Sequence, residues 1–67
     1  MKKMIVSKKK LELAMANACM NSYDLCKAAN IQYQTYKRIT SGKNAKPATV
    51  GKIAKALETI AENLIED

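Results

Sequence analysis

On a helical wheel drawn over Gln32 to Ser41, the residues Gln34, Lys37, Arg38 and Ser41 fall on one side and Gln32, Tyr36 and Ile39 on the other. One side anchors and the other is left to make contacts. A face of glutamine, lysine and arginine carries the donors and acceptors that match base edges in a DNA major groove, where Gln pairs bidentately with adenine and Arg or Lys with guanine. Tyr33 lies about a quarter-turn from the anchored side, so its ring either reaches a base or sugar or packs on the scaffold with only its hydroxyl wet. Arg38 could serve a phosphate in place of a base. Tyr36 is expected in the core, and Tyr23 on the surface beside the preceding helix. Catalysis has no comparable signature: the chain holds no His, no Gly-rich phosphate loop and no carboxylate pair placed by spacing. An enzyme is not expected.

Such a face needs a partner element to hold it, and the residues just upstream read as one. Ser22 is a suitable N-cap, Asp24 sits in the first turn where the helix dipole favours an acid, and Leu25, Cys26 and Ala29 share a side. Asn30 follows where the chain must turn, and among non-glycine residues Asn best tolerates the left-handed conformation that ends a helix. Ile31 can plug the elbow. Gly42 is placed to end the second helix. The spacing thus predicts two short helices joined by a tight turn over about residues 22–41.

The run of Leu25, Cys26, Ala29, Asn30, Ile31, Thr35, Tyr36, Arg38, Ile39, Gly42 and Lys43 resembles the helix-turn-helix of the Cro/repressor family, the lambda-repressor-like or XRE-type DNA-binding domains. That resemblance implies an all-α, compact five-helix fold with the helix-turn-helix at helices 2 and 3 and a recognition helix over 33–41. It implies base reading by Gln34, Lys37 and Arg38 with Tyr33 at the groove edge. It implies phosphate contacts from Asn21, Ser22, Thr35, Ser41, Lys43, Asn44 and Lys46, the last three from a loop that in the family lies along the DNA backbone. Two departures stand out. Where the family often pairs an Arg in the first helix with an acid closing the recognition helix, this chain has Met15 and Thr40, and where a Gly-containing turn usually follows the fourth helix it has Glu58 and Thr59. An apolar contact in place of a buried ion pair need not cost stability.

The charge distribution agrees with a polyanionic partner. All 12 basic residues lie within 1–55 with only Glu12 and Asp24 against them, whereas residues 56–67 carry Glu58, Glu62, Glu66 and Asp67 and no base. The body is cationic and the tail acidic. A nucleic acid fits better than a membrane surface, because no helix combines a basic face with bulky aromatics opposite. With 67 residues there is room for one domain and one modest core. No apolar run is long enough to span a bilayer, and the basic start lacks the apolar stretch and cleavage site of a signal peptide, so a cytoplasmic location is expected. Cys19 and Cys26 fit no zinc or thioredoxin-like spacing and read as free thiols; neither metal nor cofactor is expected. Nor is there room for a separate ligand-binding domain, so no small-molecule effector is expected.

The flanks supply the scaffold. Residues 1–6 read as an arm, with Ile5 and Val6 extended against the body and Lys2 and Lys3 near the DNA backbone. Ser7 caps a first helix reaching about Ala18, with Leu11, Ala14, Met15 and Ala18 inward; Lys8 to Lys10 oppose its dipole and are further phosphate candidates. Pro47 opens a fourth helix that buries Val50, Ile53, Ala54 and Leu57 and turns Lys52 and Lys55 outward. Thr59 with Glu62 forms a potential capping box for a fifth helix over about 59–66, the alternative being one uninterrupted helix through Leu64. Of Ile60, Leu64 and Ile65, some must complete the core and the remainder could pair with a second copy. The leading expectation is a regulator binding palindromic double-stranded DNA as a homodimer. An antitoxin-like or adaptor module, contacting a protein through the C-terminal helix, is the alternative.

Overall fold

The computed structural model describes residues 4–66. Among these the chain forms four α-helices, α1 Lys8–Asn17, α2 Ser22–Ala29, α3 Tyr33–Thr40 and α4 Pro47–Ala56, followed by a single 3-10 turn at Ala61–Asn63. The all-helical class is as expected, but the expected fifth helix is replaced by that turn.

Three of the four helix starts have a local cause. Ser7 Oγ accepts the Lys10 amide at 3.3 Å and begins α1. At α2 the cap is Asn21, not Ser22: Asn21 Oδ1 accepts the Asp24 amide at 2.8 Å, and Asp24 Oδ2 accepts the Asn21 amide at 3.2 Å. The reciprocal box favours Asn21 over the expected Ser22, because a cap at Ser22 would place Leu25 at the returning position and leave one donor unpaired. Pro47 stands at the first position of α4, where its missing N–H costs nothing.

Three helices end the same way. Cys19, Asn30 and Glu58 adopt left-handed φ values of 56, 57 and 53°. Behind each, a pair of reversed hydrogen bonds closes the last turn: Met20 N to Met15 O at 3.0 Å, Ile31 N to Cys26 O at 3.0 Å and Thr59 N to Ala54 O at 2.9 Å are the wider bonds of each pair. Only Asn30 among them tolerates this backbone well. The break at Glu58 excludes the uninterrupted helix through Leu64.

Backbone pairing between the two ends explains why no fifth helix forms. Ser7 N donates to Leu64 O at 2.7 Å and Glu66 N to Ile5 O at 2.8 Å, with Val6 and Ile65 in antiparallel register. On its other side the same segment meets the α3–α4 loop, where Ala45 N donates to Met4 O and Met4 N to Asn44 Oδ1, both at 2.8 Å. The Leu64 carbonyl and the Glu66 amide are therefore spent on the extended segment. Thr59 Oγ1 accepts from Asn63 Nδ2 at 3.0 Å in place of the expected Thr59–Glu62 box. Lys10 Nζ adds a 3.1 Å bond to Ile65 O, which turns one expected phosphate candidate toward the tail; Lys8 and Lys9 remain exposed. The expected contacts of Lys2 and Lys3 lie outside the described residues.

The core gathers Leu11 and Met15 from α1, Leu25 and Ala29 from α2, Ile39 from α3, and Val50, Ile53 and Ala54 from α4, closed by Val6, Ala45, Leu57 and Leu64. No polar or charged side chain is buried among the described residues. α2 packs chiefly on α4 and α3, so its buried face fixes how α3 is presented. Gly51 sits inside α4 with nothing within 4 Å of where a Cβ would stand. Gly51→Ala should therefore stabilise the fold by about 0.5–1 kcal/mol through helix propensity alone. A thermal melt followed by circular dichroism checks this, each kcal/mol raising the midpoint by about 4–8 °C in a domain this small.

Candidate nucleic-acid interface

α3 buries Ile39, half-buries Thr35, Tyr36 and Thr40, and leaves Tyr33, Gln34, Lys37 and Arg38 exposed. At about 100° per residue the exposed four occupy one arc, ordered Tyr33, Lys37, Gln34, Arg38. Gln32, expected on the anchored side, is the exposed N-cap residue instead. The arc has no acid near it in sequence: between Asp24 and Glu58 the chain holds seven Lys or Arg residues and no Asp or Glu. The charges carried by the arc itself are therefore all positive.

At the Arg38 edge the surface dips into a depression of about 160 Å³ lined by Thr35, Arg38, Ile39, Asn44, Ala45, Lys46 and Thr49. Two cations, two hydroxyls and a carboxamide thus converge at the start of α4, a helix with no acid in its first turn and no side-chain cap. Oriented backbone amides and the helix dipole add to the attraction for an anion there. Thr49 was not among the residues picked out from sequence; the signal for it was the absence of any acid or capping side chain after Pro47.

The start of α2 is less suited to that role than Asn21 and Ser22 suggest in sequence. Asp24 already places a carboxylate on those amides, Asn21 Oδ1 is engaged by the Asp24 amide, and Ser22 is half-buried. Ser41 also differs from expectation, because its hydroxyl donates to Arg38 O at 2.7 Å and so spends its one proton inside the helix. Thr35 lines the depression, and Lys43, Asn44 and Lys46 are exposed along its loop. Asn44 holds Met4 N with its Oδ1 and leaves its Nδ2 donors at the surface end.

At the opposite, Tyr33 edge, three tyrosines form a column. The rings of Tyr23 and Tyr33 stack at 4.8 Å and 9°, and those of Tyr33 and Tyr36 at 5.9 Å and 26°. Tyr36 Oη then donates to Met15 Sδ at 3.8 Å. Met15 is thereby joined to the core end of the column, whereas Thr40 bonds back to Tyr36 O and Lys37 O of its own helix. Stacked pairs of this kind contribute about 0.5–1.5 kcal/mol beyond area burial. Tyr23 was expected only as a surface residue, and a wheel drawn for one helix at a time has no means of pairing it with Tyr33.

Burial pushes the Tyr36 phenol above its ordinary value of 10.0, with Cys26, Glu12 and Tyr33 adding to the rise, and burial likewise pushes the Cys26 thiol up from 9.0. Cys26 is accordingly an inert core thiol at neutral pH. Both groups are acids held neutral by the fold. Above their unfolded-state values the unfolded chain has released protons that the folded chain retains, so their stabilisation is intact below about pH 9 and is lost as pH rises through the folded values. Urea unfolding at stepped alkaline pH should show stability falling from about pH 9 upward. Tyr36→Phe should flatten the part of the fall above about pH 10.

The residues considered for self-association separate clearly. Leu64 is fully buried in the chain's own core and cannot face a second copy, Ile65 is half-buried in its bridge to Val6, and Ile60 is 58% exposed. No helix among the described residues is long and apolar enough to cross a membrane. Comparison with family models, with curated proteins and with solved structures finds no match to this chain.

Proposed function

We propose that the chain is a sequence-specific DNA-binding regulator of the repressor or Cro-like kind, acting in the cytoplasm, with α2 and α3 as its helix-turn-helix. The observation that carries this reading is the acid-free exposed arc of α3, continuous with the cationic depression at the start of α4. Gln34 and Lys37, at the centre of the arc, read base edges, and Tyr33 adds a contact at one border. Arg38 stands where reading and gripping meet, beside Thr35, Asn44, Lys46 and Thr49, which hold the backbone. With Lys43 along the same loop, phosphate contacts fix the register of α3 without themselves carrying sequence information.

Two copies bind two half-sites about one helical turn apart, ~34 Å. Ile60 is the side chain of the tail best placed to meet a second copy, since it remains exposed while Leu64 does not. Occupancy of the operator is itself the regulatory act, by blocking or recruiting polymerase, and no catalytic step is involved. Selection of bound sites from random duplexes at physiological salt tests the reading. It should return a short palindrome with half-sites spaced by one turn. Retention of random duplexes without enrichment, or no retention at all, would overturn it.

A further inference from the structure

We infer that Tyr23, without touching a base, sets the sequence preference of the α3 face by holding the Tyr33 phenol in one orientation. This deepens the DNA-binding reading and rests on it. Tyr33 is the first residue of α3, and that turn is not locked locally, because Gln32 makes no side-chain cap hydrogen bond. The first turn of α2, where Tyr23 lies, is locked by the Asn21–Asp24 box. The near-parallel stack at 4.8 Å and 9° ties the unlocked turn to the locked one. From the other side Tyr36, itself anchored on Met15, closes the sandwich at 5.9 Å.

A tyrosine at an exposed helix start ordinarily samples more than one χ1 well, and its hydroxyl swings widely between them. Tyr33, held between two rings, has a single place to go. A reader fixed in this way does not lose rotamer freedom on binding, nor can it turn aside to admit a different base. Tyr23 is 67% exposed and lies outside the hydrophobic cluster, so its ring is not required by the core. Its geometry is explained by what it does to Tyr33.

Site selection followed by binding titrations on the full chain, comparing the unaltered protein with Y23A, Y23F, Y33A and the double variant, tests the inference. Y33A should erase preference at one base pair, and Y23A should erase roughly tenfold of discrimination at that same base pair while leaving affinity for random duplex and its salt slope unchanged. Y23F keeps the ring and should keep the preference. The double variant should lose no more than Y33A alone, since the two residues act as one unit. Thermal melts of each variant establish that it is folded, and Y23L stands in for Y23A should that variant be unfolded.

Retention of full preference by Y23A or Y23L overturns the inference. So does a uniform loss on cognate and random DNA with a reduced salt slope in both Y23A and Y23F, which would make Tyr23 a phosphate contact. If Y33A changes no position while the unaltered chain still enriches a palindrome, the inference falls and the DNA-binding reading stands. If the unaltered chain enriches nothing, both fall.

Discussion

Leu64→Ala should cost about 2–5 kcal/mol, the range for truncating a fully buried leucine whose surroundings relax only in part. In a domain this small a single core seldom supplies more than about 3–5 kcal/mol, so the variant should be largely unfolded in buffer at room temperature. Leu64 has no exposed surface, and its carbonyl accepts the 2.7 Å bond from Ser7 that starts the seam between the chain's ends. Urea titration by circular dichroism at several protein concentrations measures the loss. If Leu64 instead served mainly a second copy, the loss would shrink on dilution; a concentration-independent loss places it in the monomer's interior. Ile60→Ala is the contrasting case. At 58% exposure it should move folding stability by no more than about 0.5 kcal/mol.

Gln34→Ala should weaken binding to the selected site by ~1–3 kcal/mol and relax preference at one base pair, whereas Lys46→Ala should weaken all duplexes about equally and lower the salt slope by about one. The division follows from position on α3 and its loop. Gln34 lies mid-arc, away from the depression, and its carboxamide offers a matched donor and acceptor; Lys46 lies in the depression and offers a point charge. Arg38 discriminates between the two roles, because it borders both. Binding titrations of each variant against cognate and random duplex over a salt series give both numbers at once. A pattern in which both variants lower cognate and random binding alike would remove the distinction between readers and positioners.

Much of the scaffold was legible because its causes are local. Ser7, Asn30 and Pro47 each act through hydrogen bonds or backbone preferences within a few residues, and the apolar spacing of Val50, Ile53, Ala54 and Leu57 reports a face that is buried as expected. The choice of Asn21 over Ser22 was within reach of sequence, since it turns on whether an acid stands three residues on. The tail was not. Thr59 and Glu62 make a sound local case for a helix, but the backbone of 64–66 is claimed by residues 5–7 from the far end of the chain, and no local pattern records that claim. The same holds for the tyrosine column and for the depression that joins Arg38 to Thr49. Both are made by side chains from separate elements.

Residues 4–7 bridge the α3–α4 loop and the tail, pairing with one on each side. One end grips the loop bearing Lys43 to Lys46, and the other grips the tail, with Lys10 bonded to Ile65 across 55 positions. Displacing the tail would therefore also unpair residues 4–7, whose other side holds the loop bearing Lys43 to Lys46.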